Sequence, residues 1–178
     1  EGKALFSGED VTVRLCPAEP DAGVLFVRTD LADGPVVPAS VESIGDGYRS
    51  TVLRAAGERG REAAKIRSPE HLLSACMGLQ VDNLVVEVNG EELPACGGCA
   101  IEWVKALQRA GIEEQNEEKK AVELDSPVAV SEDGASVTGT PMPPGKDEEG
   151  GEEKQLTISY VLEFHRAPLP PQVYTCTI

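Results

Sequence analysis

The chain has 178 residues, 40% of them hydrophobic and 26% charged, which fits one ordinary domain, or one domain and part of a second, able to bury a core. Its 31 acidic side chains outweigh 16 basic ones, for a net charge of -15, so a surface that tracks nucleic-acid phosphates or docks on anionic lipid is not expected. No apolar run approaches the roughly 20 residues of a membrane-spanning helix, and no secretory leader is visible.

The first third alternates with a period of two, the signature of strands. Val11-Thr12-Val13-Arg14-Leu15 and Val24-Leu25-Phe26-Val27 are the clearest, and 36–41 and Thr51-Val52-Leu53 are weaker. Gly57-Glu58-Arg59-Gly60 reads as a turn before a return strand, Lys65-Ile66-Arg67. Ser68-Pro69 then offers an N-cap and a proline at the first helical position, and Leu72, Leu73, Cys76 and Leu79 follow at helical spacing as far as Gly78. A strand over 83–88 closes on Asn89-Gly90, and a second helix runs from about Ala100 to Ala110 with Gly111 as its C-cap.

Beyond a charged connection at 113–120 come strand-like segments at 122–124, 128–130, 135–137 and 156–162. They are interrupted by a Pro-, Gly- and acid-rich stretch over 139–154 that reads as a disordered surface loop. The expected architecture is α+β: an antiparallel sheet with two helices on one face over residues 1–121, then a strand-rich segment over 122–178. That segment has no helix of its own to cover a face, so a protein partner is expected to cover it. The chain opens at Glu1 without Met and stops at Ile178 inside a strand pattern, as a piece of a longer protein would.

Chemistry is concentrated at two places. Glu70-His71 opens the first helix, where a histidine metal ligand beside a glutamate base could activate a metal-bound water, or where a dipole-matched acid and a polar helix start would also stand. Cys96-Gly97-Gly98-Cys99 could share a zinc ion, form a redox pair, or fill a tight strand-to-helix turn with small residues. A structural zinc site would need Cys76 and His71 to join Cys96 and Cys99 across the fold. Cys16 and Cys176 read as buried apolar residues, and His165 as a strand-end residue. Five cysteines, an odd and modest number, favour a reducing compartment such as the cytoplasm or an organelle interior. Neither a phosphate-binding glycine loop nor a G-x-S-x-G nucleophile turn occurs.

Several segments together resemble one family. They are Leu5-Phe6-Ser7-Gly8, Val11 to Ala18, Val24 to Asp30, Pro69-Glu70-His71-Leu72-Leu73-Ser74-Ala75, Val81-Asp82-Asn83, Glu87 to Pro94 and Ala110-Gly111-Ile112. Their order and spacing resemble UDP-3-O-acyl-N-acetylglucosamine deacetylase, the zinc enzyme of lipid A biosynthesis. The resemblance implies two similar domains facing one another across an active site, with Glu70 as general base and His71 as a zinc ligand. It would make the substrate the acetamide of a nucleotide-sugar glycolipid.

The departures point the other way. The family's Leu-His-[Ser/Thr]-Gly turn reads Leu5-Phe6-Ser7-Gly8 here, and its Asp-Gly-Ser-Ala turn reads Gly97-Gly98-Cys99-Ala100. The second domain's His-x-x-x-Asp helix has no counterpart, for the chain holds only two histidines and position 169, four beyond His165, is Leu. One histidine cannot hold a catalytic zinc, which takes three protein ligands and a water. The expectation is therefore a non-catalytic or incomplete homologue acting as a binding or structural subunit of a larger assembly, with zinc incomplete or absent in this chain alone. The alternative is part of an active zinc-dependent deacetylase.

Overall fold

The structure is a computed structural model that describes residues 1–47, 50–55, 64–119, 124–143, 145–146, 152–153, 156–163 and 168–177. It divides into two compact units, Glu1–Lys119 and Lys120–Ile178.

In the first unit, β1 (Gly2–Lys3) pairs antiparallel with β2 (Asp10–Val11) across the turn that carries Leu5 and Phe6. A four-stranded sheet follows, made by β3 (Val13–Pro17), β4 (Val24–Arg28), β5 (Val36–Pro38) and, later in the chain, β8 (Leu84–Val88) in the order β3-β8-β4-β5. The α+β class read from the sequence stands. Both edges of this sheet are antiparallel and its central pair, β4 with β8, is parallel. The long excursion between those two strands explains the parallel pair, since a crossover returns the chain in the same direction where a tight turn would reverse it.

That excursion holds the antiparallel pair β6 (Val52–Arg54) and β7 (Lys65–Arg67), then α1 (Glu70–Gly78). The turn read at 57–60 and the histidine at 165 lie outside the described residues. The strand read over 36–41 stops at Pro38, whose nitrogen carries no hydrogen for the ladder, and Val41–Ser43 forms a 3-10 turn. The α1 start also differs from the sequence reading. Pro69 itself is the cap, and Ser68 has φ 56°, with no side-chain bond to the helix end. A left-handed residue directly before proline is an uncommon, strained arrangement for a residue with a Cβ. Here the Ser68 N–H is committed to the Thr51 carbonyl at 3.0 Å, which holds the chain in that turn.

Alternation on the sheet does what the sequence pattern foretells. Leu84, Val86, Val88, Phe26 and Val37 are buried on one side and register places them opposite one another. α1 adds Leu72, Ala75 and Cys76 to the same core, and α2 (Ile101–Ala110) adds Trp103 and Leu107 before ending at Gly111, φ 89°. The glycine accepts that positive φ without the clash a Cβ would bring.

The second unit is built of hairpins. β9 (Val128–Glu132) pairs with β10 (Ala135–Gly139) through Asp133-Gly134, both at positive φ, the two-residue turn whose twist suits a hairpin. Within the stretch read as an acidic loop, β11 (Gly145–Lys146) pairs with β12 (Glu152–Glu153). β13 (Thr157–Leu162) pairs with β14 (Gln172–Thr177). The latter hairpin is two-sided: Thr157–Thr177 and Ser159–Thr175 hydroxyl pairs, each 2.9 Å, line one face. Ile158, Tyr160, Leu162 and Tyr174 lie on the other face and are exposed.

Candidate functional site

Glu70 and His71 form the first turn of α1, with Glu70 exposed and His71 half-buried. The Leu73 N–H bonds back to the Pro69 carbonyl at 2.9 Å, so the turn bearing both side chains is closed as soon as the helix begins. Among the described residues, neither side chain has a hydrogen-bond or ion-pair partner. Two side chains thus stand without partners, among the described residues, at a fixed backbone position.

A buried carboxylate that the sequence reading passed over joins the N-terminal turn to the strand that precedes α1. Glu92 is only 4% exposed, and its carboxylate has no cation against it. It accepts instead from the backbone N–H groups of Leu5 at 2.9 Å, Phe6 at 2.9 and 3.2 Å, and Ser7 at 3.1 Å. Three converging amides satisfy a buried carboxylate much as an oriented backbone nest satisfies an anion. The same residue is bridged through its backbone to Arg67, three positions before Glu70. Its flanks continue the pairing, with Arg67 N–H to Glu91 O at 2.7 Å and Leu93 N–H to Arg67 O at 3.1 Å. The Phe6 turn and the approach to α1 are therefore tied to one side chain and one short backbone ladder. A groove of about 300 Å³ runs between them, lined by Phe6, Ser7, Val11, Arg67, Glu91 and Glu92. Its single exposed aromatic is Phe6, and Arg67 inside it is paired with Glu91 at 3.0 Å.

Cys96 and Cys99 lie elsewhere. Pro94 and Ala95 pair with Ala4 and Lys3, and the chain then enters a 3-10 turn at Cys96–Gly98 that leads into α2. Cys96 and Gly97 line a second cleft of about 600 Å³, floored by Val13, Leu15 and Trp103. Burial pushes the Cys96 thiol up, with Glu102 and Cys99 adding to the shift, and pushes Cys76 up to about 11.

The family model of UDP-3-O-acyl N-acetylglycosamine deacetylase matches the chain over residues 1–178. The chain belongs to that family. Its members are zinc-dependent and serve lipid A biosynthesis. The donors described in this deacetylase-family chain do not by themselves fit such a metal. No three His, Cys, Asp or Glu side chains come together as a cation site among the described residues.

Proposed function

We propose that these 178 residues serve as a binding or structural member of the deacetylase family and do not, alone, make a zinc hydrolase. The observation that carries this reading is what stands at the Phe6 turn and at His71. Glu92 holds the neighbouring turn, and that turn presents the apolar ring of Phe6. Among the described residues His71 belongs to no group of three or more His, Cys, Asp or Glu side chains that could hold a metal. A lone imidazole binds zinc too weakly to keep it through turnover. The apolar sides of the second unit's hairpins support a protein partner as what this member binds, since two-stranded hairpins with bare apolar faces are marginal in water.

A second reading has its own support. Glu70 and His71 remain free at the start of a buried helix, the pairing of base and ligand that amide hydrolysis requires. On that reading the chain is part of a zinc-dependent deacetylase acting on the acetamide of a nucleotide-sugar glycolipid, with further donors completing the metal site.

Zinc content and deacetylation measured together separate the two. The 178-residue chain equilibrated with zinc should hold far less than one ion per chain and release no acetate from the nucleotide-sugar substrate. Stoichiometric zinc lost in His71→Ala, with turnover abolished in Glu70→Gln, would overturn the proposal and establish the second reading.

A further inference from the structure

The turn between Pro94 and α2 carries two thiols that neither the family chemistry nor the groove at α1 employs. Cys96 has φ 46°, and the two residues after it, Gly97 and Gly98, have φ 75° and 74°. Three successive left-handed residues are rare, and two of them are glycines, the residue that takes this conformation without steric loss. The turn is closed by the Gly98 N–H on the Ala95 carbonyl at 2.7 Å. A tight turn of this kind keeps residues three apart within about 7 Å Cα to Cα, and Cys96 and Cys99 are so spaced. A disulfide bridges Cα atoms from about 4.4 to 6.8 Å apart. Both thiols are free, Cys99 exposed and Cys96 half-buried. The two are also near enough for the charge on Cys99 to act on Cys96.

We propose that Cys96 and Cys99 are a redox-active dithiol, closed to an intra-turn disulfide by exchange with an external disulfide of the glutathione class. This goes beyond the function proposed above and stands whichever of its two readings holds. Cys99, open to solvent, loses its proton and attacks one sulfur of the external disulfide. That S–S bond breaks, one thiol leaves, and a mixed disulfide forms at Cys99. Cys96 then gives up its proton and attacks the Cys99 sulfur, expelling the second thiol. Overall two protein thiols are oxidised to one disulfide, and one external disulfide is reduced to two thiols. The order follows from access, because the attacking sulfur must meet a bulky reagent and the resolving one need only reach its neighbour. Oxidation would fix the turn that forms one wall of the cleft under Trp103.

Intact mass and thiol counting on the full 178-residue chain test this. Reduced protein should react with five equivalents of alkylating reagent, one for each cysteine. After equilibration with oxidised glutathione it should react with three, lose two hydrogens, and yield a peptide with Cys96 joined to Cys99. Cys96→Ser should instead stop at one stable glutathionyl group on Cys99. Five reactive thiols after oxidation, or a bridge that uses Cys16, Cys76 or Cys176, would each overturn the assignment.

Discussion

Two buried charges in the first unit are handled in opposite ways, and each makes its own prediction. Glu92 is satisfied by amides alone, so Glu92→Ala leaves three N–H groups without their acceptor and opens the turn at Leu5–Ser7. A loss of about 2–4 kcal/mol in urea unfolding is expected, with hydrogen exchange at those amides rising before the rest of the unit. A variant as stable as the parent would sink the clamp. Arg28 is satisfied by a carboxylate: its Nε and Nη2 donate to Asp30 at 2.8 and 2.6 Å, and Nη1 donates to the Lys65 carbonyl at 2.9 Å. The hydrogen bond from Arg28 holds the Asp30 carboxyl below its ordinary value, against the upward pull of burial. A carboxyl lowered on folding stabilises the fold above about pH 4, and that stability is lost as pH falls through the lowered value. Asp30→Asn should therefore cost about 1–3 kcal/mol at pH 7, with the gap closing in strong acid. A gap independent of pH would contradict the pairing. Neither charge was legible in the sequence. Arg28 sits at the end of a strand pattern and Glu92 in a polar turn, and their partners at 65 and at 5–7 are set by tertiary folding.

Elements whose evidence is local were legible, and those whose evidence is distant were not. β3, β4 and β8 carry alternation or dense β-branching within five residues each, and α2 carries its apolar stripe and its glycine stop. The parallel pairing of β4 with β8 has no local signal, because direction depends on the crossover between them. At the candidate site the adjacency of Glu70 and His71 was readable, but the clamp that holds the Phe6 turn was not, since Glu92 acts over 86 residues of chain. The Ser68 start shows local chemistry overruled by tertiary pairing: serine before proline is a plausible cap, yet its N–H is drawn to Thr51. That makes a prediction for α1. Ser68→Gly, free of the Cβ penalty at φ 56°, should leave stability unchanged or raise it by up to about 1 kcal/mol. Ser68→Val should lower it by about 1–2 kcal/mol. Equal melting temperatures for the two variants would remove the case for strain. In α2, Leu107→Ala should cost about 2–5 kcal/mol, because the side chain is 3% exposed in the core shared with α1.

Taken whole, the molecule keeps its buried apolar cluster within residues 1–119, while the strands described after residue 120 are exposed along most of their length. The first unit should fold alone: residues 1–119 should unfold in one transition at the midpoint that the full chain shows for β4 and β8. Amides of β13 and β14 should exchange much faster than those of β8. Protection of both hairpins equal to β8 in the isolated chain would show that their apolar sides are already covered. The clamp at Glu92 also orders events in time. β3 finds its ladder partner only at Val88, and the Phe6 turn finds its acceptor only at Glu92. Contacts so far apart along the chain are slow to close. During synthesis residues 1–17 emerge well before the strand and the carboxylate that fix them, so their apolar side chains stay open over some ninety residues of growth. Nascent chains arrested before residue 88 should leave residues 1–17 fully exchangeable, and those arrested well beyond residue 110 should protect them. Residues 1–17 are written early and decided late.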